Sequence, residues 1–132
     1  MAEKLKFDLV SPERLLLSEM VDLVVVPGSE GEFGVMALHA PVVATMRPGI
    51  VQVQVDGQTE RRIFVRGGFA EVTPAGLTIL AEFAVPVEDL NSDVIEREIG
   101  HAEEDLSDAK TEEKRQMAQQ KLDHLREMRQ AL

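Results

Sequence analysis

The chain has 132 residues, of which 44% are apolar and 29% charged, a composition that buries a core rather than staying disordered. Its formal net charge of -10 at pH 7 opposes phosphate backbones, and 4% aromatics with no Trp or Tyr provide no stacking platform for nucleic acid or sugars. The absence of cysteine excludes disulfides, thiolate zinc sites, iron–sulfur clusters and cysteine nucleophiles.

The start of the chain carries Lys4 and Lys6 without an apolar stretch after them, so the expectation is no signal peptide. Residues 4–10 alternate, with Leu5, Phe7 and Leu9 on one face and Lys4, Lys6 and Asp8 on the other. Runs at 14–17 and 21–26 follow, the second stopped by Pro27-Gly28. A short Gly-flanked run covers 31–35, and another covers 41–46 before Arg47-Pro48-Gly49. Residues 50–55 place Val51, Val53 and Val55 opposite Ile50, Gln52 and Gln54. Asp56-Gly57 then precedes the run 59–65. Both residues tolerate positive φ, so the pair predicts a type I′ hairpin turn. Gly67-Gly68 separates this from 69–72, Pro74-Ala75-Gly76 turns the chain, and 77–85 reads as one last strand. The apolar runs at 23–26 and 42–44 fall far short of the ~20 residues of a membrane span.

Composition changes at about 86–91. Beyond it Pro and Phe disappear, and only Gly100 remains of the glycines. Asn91 or Ser92 suits a helix N-cap. Ile95, Ile99, Ala102, Leu106 and Ala109 then recur at helical spacing. Asp108 or Thr111 suits a second cap, after which Met117, Ala118, Leu122, Leu125, Met128 and Leu132 continue the seam. Two antiparallel helices are expected, with one continuous helix as the alternative because no Gly or Pro forces a turn. The fold class is therefore α+β: an N-terminal antiparallel β-sandwich of about 8–10 strands over residues 1–86, then a two-helix hairpin over 87–132.

Candidate chemistry is sparse. His39, His101 and His124 lie far apart, with no second ligand at metal spacing. His101 and His124 read as solvated helix residues, and His39 lies in a loop. Residues 27–34, Pro-Gly-Ser-Glu-Gly-Glu-Phe-Gly, lack the Lys-Ser or Lys-Thr of a phosphate loop, so turn and bulge glycines account for them. The acidic run Glu103-Glu104-Asp105 lacks the spacing of a calcium loop and reads as a solvated face.

The order of the segments is more specific than any one of them. Val-Ser-Pro-Glu-Arg at 10–14, Val-Pro-Gly-Ser-Glu-Gly-Glu-Phe-Gly-Val at 26–35, His-Ala-Pro at 39–41, Arg-Pro-Gly at 47–49, Gly-Gly-Phe-Ala-Glu-Val at 67–72 and Leu-Thr-Ile-Leu-Ala-Glu at 77–82 follow one another. This closely resembles the epsilon subunit of F-type ATP synthase, called delta in mitochondria, over essentially the whole chain. The resemblance implies a non-catalytic subunit of the central stalk. Its sandwich would pack on the gamma subunit and on the c-ring loops, and its helices would rest on the sandwich or reach the alpha/beta head and restrain ATP hydrolysis. Contact with the membrane would come only through the complex. The setting implied is the cytoplasmic face of a bacterial plasma membrane, with organelle inner membrane or thylakoid as the other settings of the family. Ser29, Glu30, Gly31 and Glu32 match the ring-facing loop, and Ser11 and His39 match positions near gamma. Some members bind ATP through Ile-Asp-x-x-Arg-Ala at the first helix. Here Asp93 is kept but Glu96 stands where the Arg would be, and Arg97 lies about 100° further round the helix. No cofactor is therefore expected. The competing reading is a free-standing β-sandwich adaptor with a coiled-coil tail.

Overall fold

The computed structural model describes residues 3–12 and 14–131, so Glu13 and the seam position Leu132 lie outside the described residues. The chain forms two compact units, one ending at Val87 and one beginning at Glu88.

The first unit contains β1 (Leu5–Val10), β2 (Leu15–Val21), β3 (Leu23–Gly28), β4 (Gly31–Val35), β5 (Val42–Thr45), β6 (Gly49–Val55), β7 (Gln58–Val65), β8 (Gly68–Thr73), β9 (Gly76–Ala81) and β10 (Ala84–Pro86). They build two five-stranded sheets, ordered β2-β1-β9-β8-β5 and β10-β7-β6-β3-β4. Alternation decides which side chains enter the space between them. Phe7, Leu9, Leu77 and Ile79 come from the first sheet and Val24, Val26, Val51 and Val53 from the second, all buried in one cluster. Each such side chain contributes roughly 1.5–3 kcal/mol relative to remaining exposed.

The turn between β6 and β7 has the predicted type I′ signature, with Asp56 at φ 54 and Gly57 at φ 78. Two features differ from the sequence expectation. β1 pairs parallel with β9, Phe7 opposite Leu77, so the first sheet is mixed rather than wholly antiparallel. The run 77–85 is two strands in different sheets. At Glu82–Phe83 the backbone bends toward β7, where the Arg66 N–H donates to the Phe83 carbonyl at 3.0 Å. No Pro or Gly marks that bend.

Lys4 ties the two sheets at one end. Its Nζ lies 2.8 Å from Asp22, where the chain leaves β2 for β3, and 3.3 Å from Asp56 in the β6–β7 turn. The ammonium and the Asp56 N–H hold the Asp22 carboxyl below its usual range, and the Asp22 and Asp56 carboxylates raise Lys4. A depressed carboxyl stabilises the fold above its unfolded pKa, and that stabilisation is lost as pH falls through the lower folded value. A raised ammonium stabilises below its unfolded pKa and loses this as pH rises through the higher folded value. The melting-temperature gap between the native chain and Asp22→Asn is therefore expected to be widest from mildly acidic to mildly alkaline pH. It should close below the carboxylate range and again above the lysine range, in a pH series of thermal melts.

The second unit contains a short 3-10 turn (Val87–Asp89), α1 (Ser92–Asp108) and α2 (Glu112–Ala131). Asn91 caps α1 by accepting from the Val94 N–H, and Thr111 caps α2 by accepting from the Lys114 N–H at 3.1 Å. Between them Ala109 is extended, so the helix breaks without Gly or Pro and a hairpin forms. Ile95, Ile99 and Ala102 of α1 and Ala118, Leu122 and Leu125 of α2 are buried. Arg129 of α2 reaches Glu96 of α1 at 3.0 Å, and Arg126 reaches Glu103 at 3.8 Å. Two helical residues depart from expectation: Met117, placed in the seam, is 62% exposed, and His124 has a buried Nδ1 rather than a solvated ring. Glu98 of α1 is also buried.

Candidate docking surface

Among the described residues no group of His, Asp or Glu is arranged to hold a metal ion. The feature that stands out is the outer face of the first sheet. Leu9, Ile79 and Ala70 point inward at one level of β1, β9 and β8. Their outward neighbours are consequently aligned. Leu15 pairs with Val10, Val10 with Leu80, Leu80 with Phe69, and Phe69 with Thr45. Leu15, Leu80 and Phe69 are roughly half exposed, and Val43, two residues before Thr45 on β5, is 66% exposed. An apolar row thus runs over β2, β1, β9 and β8 and ends against Thr45 on the edge strand β5, while Val43 lies one level away, opposite Glu71. The next level carries Glu71, Thr78, Asp8 and Ser18, which border it with polar groups. Scattered exposed leucines are ordinary on a protein surface, but a row aligned by register over four strands is the kind of patch that partners cover.

Backbone geometry fixes where Phe69 points. Gly68 sits at φ 111, and a Cβ there would collide with the Leu80 carbonyl on the neighbouring strand. Only glycine lets β8 lie this close to β9 at the start of the strand.

The loop residues singled out by sequence divide between the two ends of the sandwich. Ser11 accepts and donates across a tight turn with Arg14, its N–H 2.9 Å from the Arg14 carbonyl. Ser29 stands at the same end, its N–H 2.9 Å from the Thr45 carbonyl and its Oγ 2.7 Å from Thr45 Oγ1. Ser29 and Glu30 form the tip of the β3–β4 hairpin, and Gly31 and Glu32 begin β4, with Glu32 opposite Pro27. All four are exposed, so the hairpin presents two carboxylates to solvent. His39 is at the opposite end. Its Nδ1 lies 2.6 Å from the Ala40 carbonyl, and it borders an open groove of about 360 Å³ with Met20, Met36 and Leu38. The six residues therefore do not form one site.

The sequence reading missed the apolar row. Its signal was present as paired apolar neighbours inside two-faced strands, Leu9-Val10, Phe69-Ala70 and Ile79-Leu80, where one of each pair must face outward.

Comparison with known proteins identifies the family. Residues 4–87 match the model of the ATP synthase delta/epsilon chain β-sandwich domain. The ATP synthase epsilon chain of Parvibaculum lavamentivorans is 64% identical over 129 residues, covering 98% of each chain. The chain belongs to the ATP synthase delta/epsilon family. The epsilon chain of Mesorhizobium japonicum is 53% identical, over 95% of this chain and 93% of that one. Among solved structures, a chain of the Euglena gracilis mitochondrial ATP synthase, determined as an OSCP/F1/c-ring assembly, superposes with TM-score 0.72 at 25% identity, covering 99% of this chain and 82% of that one. A chain of the Tetrahymena thermophila central stalk and c-ring shares the fold at TM-score 0.72 and 13% identity, covering 98% and 97%. In this epsilon-family chain the altered helix motif has a defined role within the second unit: Glu96 accepts from the Arg129 guanidinium.

No described helix is long and apolar enough to cross a membrane.

Proposed function

We propose that this ATP synthase subunit is a non-catalytic part of the central stalk, binding the gamma subunit through the outer face of its first sheet and the c-ring loops through the β3–β4 hairpin. The observation that carries the reading is the apolar row from Leu15 through Val10 and Leu80 to Phe69, exposed in a chain whose relatives are ATP synthase epsilon chains. A rotor subunit transmits torque, which needs a broad rigid contact, and a five-stranded sheet supplies one. The carboxylates of Glu30 and Glu32 suit basic side chains on a ring loop. In a bacterium this places the subunit at the cytoplasmic face of the plasma membrane, held there by its partners. The helical unit has the regulatory role, its hairpin closed by Glu96–Arg129 and Glu103–Arg126 pairs that are half exposed and hence weak, each worth about 0.2–1 kcal/mol. Such a hairpin can open toward the catalytic head and restrain hydrolysis.

The test is co-purification of the tagged chain with gamma and the alpha/beta head. Recovery of the chain alone would favour the free-standing adaptor. For the ring contact, Glu32→Lys is expected to lower ATP synthesis in membranes while changing folding stability by no more than about 0.5 kcal/mol, since the side chain is exposed. Unchanged synthesis and unchanged ring association would remove Glu32 from the interface.

A further inference from the structure

The β6–β7 turn carries the one Asp-Gly step in the sequence, Asp56-Gly57. The other seven aspartates precede Leu, Val, Ala or His, and the single asparagine, Asn91, is held as the cap of α1. The amide nitrogen of the next residue can attack an aspartyl carboxyl, and a side chain on that residue hinders the approach. At Gly57 nothing stands within 4 Å of where a Cβ would be, so the approach is open. The Gly57 N–H donates to no described residue. The Asp56 side chain is 86% exposed, so water reaches it freely.

We propose that Asp56-Gly57 is the position at which this chain forms isoaspartate, and that the product is a substrate for methyl transfer to its freed α-carboxylate. The Gly57 nitrogen bonds to Asp56 Cγ and gives up its proton. One carboxyl oxygen leaves as water, carrying that proton and one from the solvent. Water then adds at the Asp56 backbone carbonyl carbon, and the bond from that carbon to the Gly57 nitrogen breaks. No oxidant or further reactant is needed. The main chain now runs through Cβ and Cγ, and the free carboxylate sits on Cα. Asp56 is one arm of the clamp between the sheets, its carboxylate 3.3 Å from Lys4 Nζ and its N–H on the Asp22 carboxylate. The I′ turn needs two residues of ordinary spacing between Val55 and Gln58. An extra backbone carbon breaks that spacing, and a carboxylate moved to Cα withdraws from Lys4. The change therefore loosens one end of the sandwich.

The experiment ages the full chain at neutral pH and physiological temperature over weeks. An isoaspartyl methyltransferase with labelled S-adenosylmethionine then reports isoaspartate, and digestion locates the label. Label is expected to grow with time in the peptide that spans Asp56, and the aged chain should melt about 4 °C lower than the fresh one. Asp56→Glu, which would have to close a six-membered ring, should lose this label. Asp56→Asn, which reaches the same five-membered ring by releasing ammonia, should raise it severalfold. Equal label in the native and Asp56→Glu chains, or label confined to other peptides, would overturn the proposal. Label in the Asp56→Asn chain alone would do the same, because the aspartate itself would then be stable. Absence of label from both would show that the turn holds the amide away from the carboxyl. A labelled chain with an unchanged melting temperature would overturn the link to the clamp.

Discussion

Phe69→Glu is expected to abolish stable association with gamma while leaving the free chain folded. In the free chain the ring is half exposed on the outer face of β8, between Leu80 and Thr45. The substitution there removes little buried area and costs about 1 kcal/mol at most through strand preference. At a docked interface the same position is the aromatic end of the apolar row. Truncating an aromatic anchor commonly costs 2 kcal/mol or more, and a carboxylate without a partner adds its desolvation. The combined loss should exceed about 100-fold in affinity. Glu71→Gln, two residues along on β8, provides the comparison, because it changes charge without touching the row. The measurement is gamma binding by calorimetry beside a thermal melt. A Phe69→Glu chain that binds normally would move the interface to another face.

Gly68→Ala is expected to have the largest effect on the fold itself. The residue adopts φ 111, and the added methyl would meet the Leu80 carbonyl, a backbone atom that cannot rotate away. Backbone strain in this region costs of order 1–3 kcal/mol, and prying β8 from β9 adds lost pairing at the sheet centre. A destabilisation of at least about 3 kcal/mol follows, a large part of the 5–15 kcal/mol typical of a domain. Because Gly68 directs Phe69, gamma binding should fall with it even where folded protein remains. Denaturant unfolding of the native and substituted chains checks the magnitude. A change below about 1 kcal/mol would show that the strands separate cheaply at this point.

Most of the architecture was legible because its signals are local. Asp56-Gly57 defines a turn through its own dihedral preferences, and Val51 and Val53 declare an inward face by alternation alone. The caps Asn91 and Thr111 were likewise visible, since each acts on a backbone N–H three residues away. What local patterns do not encode is which strand lies beside which. The β1–β9 pairing joins Phe7 to Leu77, and nothing near either residue names the other. The apolar row depends on that register, so Leu80 and Val10 became neighbours only in the assembled sheet. The same limit explains the site residues. The resemblance pairs Ser11 with His39 near gamma and assigns Ser29 to the ring-facing loop, whereas the sheet topology puts Ser11 and Ser29 at one end and His39 at the other. His124 reads as solvated from its charged neighbours, but burial of a helical residue is set by the face it occupies.

The chain contains no cysteine, so a single introduced thiol reports on one position without background. The most direct test of the account is therefore cross-linking in the assembled ATP synthase from Phe69→Cys on the first sheet, compared with Arg62→Cys, exposed on the second sheet opposite Gln52. A short cross-linker should join the Phe69→Cys chain to gamma in high yield and leave the Arg62→Cys chain unlinked to gamma. Efficient linkage to gamma from Arg62→Cys, with none from Phe69→Cys, would contradict it.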